Sequence, residues 1–310
     1  MFSSHLLNNK QADNGGQKLS REHKSIEPAI LYLGTPVVLN STVNEDGSYN
    51  LAPISSAFWL GWRCMLGFEA VSKTPQNIIR TGECVINLPS VDQVDAVNRL
   101  AMTTGSDPVP AGKSLRGYRY EAHKFAAAGL TPVASEVVAP PRVLECPIQL
   151  EAELVRVNPM MRDQYDYSVH ERSIECTLEG IVCLELRIVR VHADPAILVA
   201  GHPDRIDPDL WRPLIMSFCR FYGLGQELVE SRLARIPEGQ YRSPDVDRAR
   251  LEPVKGTQSE AAARIARHRK WFVSCWDERY IRAAAPETDE LVGSFRFENK
   301  NRSSPISAAI

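Results

Sequence analysis

The stretch from Asn50 to Leu88, NLAPISSAFWLGWRCMLGFEAVSKTPQNIIRTGECVINL, constrains the fold more than any other part of the chain. It reads as strand, strand, polar loop, short helix, strand. Asn50 to Trp59 is an apolar run holding Ser55 and Ser56, and Pro53 marks it as a strand start or edge because proline has no N–H to give a ladder. Cys64 to Val71 is a second, mostly apolar run that reads as a strand buried on both faces. Ser72, Lys73 and Thr74 lead into Pro75, which a first helical turn accepts, and Gly82 after Thr81 supplies a left-handed stop. Glu83 to Leu88 then reads as strand. Strands spaced this closely, with few long helices between them, favour a closed antiparallel barrel over a parallel sheet. Closure also removes exposed edges.

The flanks extend this pattern. Leu31 to Val43 reads as a strand, joined to the next by Asn44-Glu45-Asp46-Gly47, where Asp-Gly tolerates the positive φ of a tight hairpin turn. Val91 to Met102 carries Val94, Val97, Leu100 and Ala101 at helical spacing. Asp107 to Gly112 is a Pro/Gly loop, and Tyr120 to Ala128 reads as a short helix ended by Gly129. Arg142 to Val157 reads as one long strand that alternates after Pro147. Ile148, Leu150, Ala152 and Leu154 take one side, leaving Glu151 and Glu153 toward solvent or a partner. Met160 to Glu179 is polar and irregular, and Gly180 to His192 returns to strand. Asp207 to Gly223 reads as a helix with Asp207 as N-cap, Pro208 at its first position and Leu210, Leu214, Ile215, Phe218 and Phe221 along a face. The expected organisation is a disordered lead over residues 1–25, a barrel over 26–236 and an extension over 237–310, with a further helix from Ser259 to about Ala283.

Composition narrows the function. A hydrophobic share of 44% allows a sizeable core, and a net charge of −2 argues against a nucleic-acid protein, whose footprint is strongly basic. The basic run from Arg264 to Lys270 reads as the solvated face of an amphipathic helix. Seven cysteines without paired spacing read as reduced thiols, and no metal-ligand spacing is present. No G-x-G-x-x-G opens a helix after a strand, and no P-loop occurs. The first residues lack the basic-then-apolar order of a secretory signal, and no apolar run nears the roughly 20 residues of a membrane span. A soluble, cytoplasmic protein with no membrane and no nucleic-acid partner is expected.

Two places carry chemistry. Ser72-Lys73-Thr74-x-x-Asn77 offers hydroxyls, an ammonium and the free amides of a helix start, which suit a phosphate. By local pattern alone the loop reads more readily as a helix cap beside a solvated lysine, since caps are far commoner than phosphate sites. Ser55-Ser56-Ala57 offers small side chains over which a flat, hydrogen-bonding ring can approach the backbone; the plainer reading is two serines bonding locally on a strand. His123, His170, His192 and His202 are isolated and are not selected as proton donors. Cys64 and Cys84 read as buried, inert thiols, and Phe58, Trp59 and Trp62 as core fillers.

In order and spacing, NLAPISSAF, SKTPQNI and GECVINL resemble the flavin reductase-like family of FMN-binding split β-barrels, the flavoredoxin-type branch in particular, over roughly Leu31 to Ile236. The resemblance implies a mainly β fold, a split β-barrel with peripheral helices. It implies FMN as cofactor, with FAD as the alternative. The phosphate would lie on Lys73, Thr74 and Asn77 beside Ser72, and the ring over Ser55, Ser56 and Ala57, with Asn50, Gly67 and Phe68 close by. It implies hydride transfer from NADH or NADPH to flavin N5, with the flavin rather than a side chain doing the chemistry. A homodimer and an oxygenase that receives the reduced flavin are implied too. Flavoredoxin-like relatives leave open a second class, an electron carrier or accessory protein without nicotinamide turnover. Related sequences often carry proline just before the third strand where this chain has Trp62-Arg63, a departure that bears on the ring pocket.

Overall fold

The structure, a computed structural model, describes residues 23–160 and 180–254. The expectations for residues 1–22, for 161–179 and for the helix beginning at Ser259 lie outside the described residues. Two strands, β1 (Thr35–Pro36) and β2 (Val38–Val43), replace the single strand expected from Leu31. Between them the Val37 amide donates to the Leu214 carbonyl at 2.8 Å, so the backbone changes partners there. β2 turns through Gly47, at φ 84°, into β3 (Tyr49–Ile54). The run Asn50–Trp59 is also two strands, because β3 stops at Ile54 and β4 (Ala57–Leu60) begins after Ser55 and Ser56. β5 (Arg63–Glu69), α1 (Lys73–Thr81) and β6 (Glu83–Leu88) follow. Gly82 closes α1 as expected, at φ 77°. β5 is not buried on both faces: Cys64, Leu66 and Phe68 point inward, while the residues between them stay half-buried.

A peripheral layer comes next: α2 (Val94–Leu100), β7 (Thr103–Thr104), α3 (Ala111–Leu115), β8 (Arg119–Tyr120), α4 (Lys124–Ala128), β9 (Pro132–Val133) and β10 (Arg142–Val143). The helix expected from Tyr120 starts only at Lys124, because Arg119 and Tyr120 pair in parallel with Thr103 and Thr104. β10 pairs with β9 and is separate from β11 (Ile148–Pro159), with which it was expected to be continuous. β12 (Ile181–Ala193) returns antiparallel to β11.

Ser55 and Ser56 decide the topology. The main sheet has seven antiparallel strands in the order β3-β2-β6-β11-β12-β5-β4. β3 and β4 stand at its two ends, yet only two residues join them. Three Cα steps reach at most about 11 Å, so the sheet must curl until its ends meet, which makes it a barrel. Register shifts in β11 at Glu151/Ala152 and Leu154/Arg156 bend the longest pair around that curve. The interior is filled by Val38, Leu66, Phe68, Ile86, Leu150, Leu154, Leu184 and Leu186, with Ile78 of α1 in the same core. A second core forms outside the barrel wall, where Leu39 and Leu51 meet Val97 and Leu100 of α2 and Phe125 of α4.

Glu151 corrects the expectation that it faces solvent. It points out of the barrel but is 0% exposed, because the chain from Ser135 to Ala139 folds over it. Its carboxylate accepts from the amides of Glu136 at 2.8 Å, Val137 at 2.6 Å and Val138 at 3.0 Å. His192 Nε2 lies 2.7 Å away on β12. Burial alone would raise its pKa, but the His192 contact and the three amides outweigh that and lower it to about 2. Glu153 is half-buried and pairs with Arg187 at 2.6 Å.

The helix expected over Asp207–Gly223 is only one turn, α5 (Pro208–Trp211), followed by the hairpin strands β13 (Ile215–Ser217) and β14 (Arg220–Tyr222). Asp207 does cap the turn through Asp209 N–H and Leu210 N–H. Arg212 then sits at φ 53°, and Pro213 disfavours helix before it. Phe218 and Cys219, at φ 46° and 61°, form a two-residue turn whose hand matches a hairpin. β13 pairs with β1, which gives this segment a sheet to join. Farther on, α6 (Pro244–Arg250) lies against β12. Arg63 Nε contacts Asp245 at 2.7 Å and Arg187 contacts Glu252 at 3.5 Å. The segment after the expected boundary at 236 is thus in part packed on the barrel wall.

Candidate functional site

The site is built where β5 runs into α1. Ser72 is the N-cap of α1, with extended backbone and no side-chain capping bond. Its Oγ instead accepts from Lys113 Nζ at 2.7 Å. The helix begins at Lys73, earlier than a start at Pro75. The first-turn amides without a helical acceptor are therefore those of Lys73 and Thr74. Pro75 brings none, and the Gln76 amide reaches back to Ser72 O at 3.5 Å.

The side chains behind that turn form a buried polar chain. Asn50 Nδ2 donates to Thr74 Oγ1 at 3.0 Å and to Thr42 Oγ1 at 3.2 Å. Asn77 Nδ2 donates to Thr42 Oγ1 at 3.0 Å and to Asn44 Oδ1 at 2.8 Å. Asn77 is fully buried, so its amide fixes α1 on the β2–β3 hairpin and faces no ligand from the helix start. Lys73 Nζ pairs with Glu45 Oε2 at 2.8 Å. Burial tends to raise the Glu45 pKa, and hydrogen bonding to Lys73 and the charges of Lys73 and Arg80 bring it below the usual carboxylate range.

The ring-side residues are set by one close approach. Ser56 Oγ donates to Gly67 O at 2.7 Å, and Gly67 N–H donates to Ser56 O at 2.8 Å. A Cβ on Gly67 would stand 3.1 Å from the Ser56 Cβ, tighter than ordinary packing. Ser55 is half-buried, Ser56 exposed and Ala57 buried. Phe68 turns into the core and does not line the outer surface. Gly67 and Ser72 are five residues apart along one path, so the two ends of the site lie within about 18 Å.

Several residues here carried no signal in the local pattern. Gly105 presses against the site so closely that a Cβ would fall 2.6 Å from Asn50 Oδ1 and 3.3 Å from Lys73 Cβ. Ser106 Oγ beside it is buried without a hydrogen-bond partner. Arg116 pairs with Glu69 at 2.6 Å, just before the Ser72 turn. The histidines divide differently: His192 holds Glu151, and His170 lies outside the described residues. Cys64 and Cys84 are buried, and burial pushes the Cys64 thiol up to about 12 and Cys84 well above its ordinary value. Among the described residues no cluster of His, Cys, Asp or Glu could hold a metal ion, and no helix is long and apolar enough to cross a membrane.

Known proteins resolve the class. Residues 31–201 match the flavin reductase like domain. The chain is 36% identical over 209 residues to the uncharacterized protein YdfE of Bacillus subtilis (strain 168), covering 67% of this chain and 93% of that protein. Among solved structures it is similar to the flavoredoxin of Desulfovibrio vulgaris (Miyazaki F), with a TM-score of 0.52 and 21% identity, covering 69% of this chain and 99% of that one. It is similar in the same degree to nitrilotriacetate monooxygenase component B from Bacillus cereus, with a TM-score of 0.52 and 22% identity, covering 68% and 100%. The chain belongs to the flavin reductase-like family, and its fold is that family's split β-barrel.

Proposed function

We propose that the protein binds FMN and acts as a flavin-dependent oxidoreductase, in the manner of NAD(P)H:flavin reductases. The observation that carries this is the pairing, on one β5–α1 path, of a backbone close approach at Ser56 and Gly67 with an uncapped helix start beside ammonium groups. The donor set fits the two ends of a flavin mononucleotide. Lys73 and Thr74 amides, the Thr74 hydroxyl and the Lys73 ammonium would hold the phosphate. Ser55, Ser56 and Ala57 would orient the ring, with Gly67 leaving it room. Asn50 and Asn77 keep the helix start in place. A flavin bound there supplies hydride acceptance at N5 from NADH or NADPH. The residues of the chain bind, orient and exclude water, and none is needed as an acid or base.

We also propose a homodimer, supported by the exposed Phe58 (55%) and Leu60 (76%) on the end strand beside Ser56. Cytoplasmic residence, and an oxygenase as recipient of the reduced flavin, belong to the same reading. The name of the Bacillus cereus protein supports the oxygenase. The test is an absorbance spectrum of the purified protein with FMN, followed by anaerobic NADH and then NADPH. The expected result is a shifted flavin spectrum that bleaches with one nicotinamide. A shifted spectrum that stays oxidised with both would overturn the nicotinamide step and favour an electron carrier. No shift would overturn flavin binding itself.

A further inference from the structure

Residues 31–201 match the family domain, and Ser243 to Glu252 lie well beyond them. The first contacts of that later segment fall on one turn of the barrel, between β4 and β5. Ser243 stands against Gly61, so closely that a Cβ on Gly61 would come within 3.6 Å of the Ser243 Cβ. Gly61 is at φ 59°, a conformation in which other residue types are strained. Arg63 Nε meets Asp245 Oδ2 at 2.7 Å, and Arg63 Nη2 meets Asp245 Oδ1 at 3.3 Å. Two parallel bonds between a guanidinium and a carboxylate fix direction as well as distance. The Asp245 side chain is only 17% exposed. At the far end of α6, Glu252 pairs with Arg187 at 3.5 Å, and its carbonyl accepts from Arg190 Nη2 at 3.0 Å. The segment is thus fastened at both ends, with Ala249 buried between them.

The turn it grips belongs to the hairpin that carries the ring-side residues. β4 is an end strand, and among the described residues it ladders only with β5, from Ala57 opposite Leu66 to Leu60 opposite Arg63. At one end of this ladder Ser56 and Gly67 exchange hydrogen bonds of 2.7 and 2.8 Å. At the other end is the turn Gly61–Trp62–Arg63. The Trp62 carbonyl accepts from Ile188 N–H of β12 at 3.0 Å, and Arg63 Nη1 reaches Glu185 at 3.3 Å. A strand with one neighbour opens from a loosened turn more readily than a strand held on both sides. A small tilt of β4 against β5 changes the spacing of Ser56 and Ala57 from Gly67.

We infer that Asp245 is a positioning residue: by gripping Arg63 it braces the β4–β5 hairpin and so sets where Ser56 and Ala57 stand against the flavin ring. The inference rests on the flavin reading given above and adds to it a residue from outside the matched domain. It differs from a plain stability role. An ion pair that only glued α6 to the wall would lower the melting temperature on removal and leave the ring side as it was.

The experiment uses the full chain with Asp245→Ala and Asp245→Glu, well below their melting temperatures. Amide hydrogen exchange is followed in the ligand-free proteins, and FMN and riboflavin are titrated into each by absorbance. In Asp245→Ala, exchange over residues 57–67 should run about three- to fivefold faster, as expected for loss of one half-exposed ion pair. FMN and riboflavin should weaken by a common factor of about two to five, with altered flavin bands. The common factor marks the ring side, because a change at the phosphate end spares riboflavin. Asp245→Glu keeps the carboxylate and should stay close to wild type in both measurements. If Asp245→Ala does not fold, Asp245→Asn, which keeps one acceptor oxygen, is read in the same way. Wild-type affinities for both flavins overturn the inference, whatever happens to the melting temperature, and so does a loss confined to FMN. If the wild-type chain binds neither flavin, the flavin reading fails separately and exchange alone decides: acceleration that reaches Ala57 and Gly67 supports the brace, and none there overturns it.

Discussion

Glu151→Gln removes one charge and almost no volume, which makes it a sharp probe of how the barrel wall is held. The Glu151 carboxylate is the common acceptor for three consecutive amides, Glu136 to Val138, and for His192. Its pKa in the folded chain is about 2, against an ordinary value of 4.5. Each unit of difference corresponds to about 1.4 kcal/mol, so the ionised group contributes about 3 kcal/mol near neutrality. The folded value is the depressed one, so this stability is fully present above about pH 5 and is lost as pH falls toward 2. In the variant the Gln amide offers a single neutral oxygen and places its own N–H groups among donors. A loss of about 3 kcal/mol lowers the melting temperature by roughly 6–12 °C in a domain of this size. The assay is urea or thermal unfolding of both proteins at pH 7 and pH 3.5. The gap should shrink from about 3 to about 2 kcal/mol across that interval, because at pH 3.5 the carboxylate of the unfolded wild-type chain is protonated while the folded one stays ionised. A variant within about 1 kcal/mol of wild type at pH 7, or a gap that widens in acid, would refute the reasoning.

Three further outcomes follow from the site and core. Lys73→Ala with Thr74→Ala should weaken FMN binding at least tenfold, from roughly 1.5–3 kcal/mol for a hydrogen bond to a charged group; unchanged affinity in a fluorescence titration removes those two residues from the phosphate. Gly105→Ala should destabilise the fold by about 1–3 kcal/mol by driving a methyl into Asn50 Oδ1. Adding Asn50→Ala should recover part of that loss in urea unfolding, and no recovery would mean that the clash lies elsewhere. With a maleimide reagent and peptide mapping, the exposed Cys219 should label in the native protein. Cys64, Cys84 and Cys146 should label only after unfolding, since burial suppresses their thiolates. Native labelling of Cys84 would contradict the closed core.

What could be read along the chain was local. Asp46-Gly47 and the helix closed by Gly82 announce themselves because turn and cap chemistry act within a few residues; the turn and the helix end are found where expected, while the helix starts at Lys73, two residues before Pro75. The division of Asn50–Trp59 is different. Nothing in that apolar run marks Ser55 and Ser56 as a change of strand, since the change follows from where the far end of the sheet arrives. Alternation in β11 correctly turns Glu151 away from the interior, but it cannot show that residues 135–139 cover the outer face. The helix expected over Asp207–Gly223 has a sound N-cap and then fails. Phe218 and Cys219 adopt positive φ only because β13 and β14 pair, and neither is a residue type that signals a turn. Lys113 reaches Ser72 at the start of α1 from about 40 residues away, so no short motif could have contained it.

The junction at Ser55–Ser56 has one more consequence. It is the point where the chain crosses from one end of the sheet to the other, and the Ser56–Gly67 pair carries the β4–β5 ladder up to that crossing. A ring seated over Ser55, Ser56 and Ala57 would rest on the crossing and be bound only while it keeps its shape. Such a ligand would act as a rivet: at a hundredfold excess over its dissociation constant it adds about 2.7 kcal/mol against any opening that removes its site. Loss of the ligand and loosening of the barrel at that point are then linked, each favouring the other.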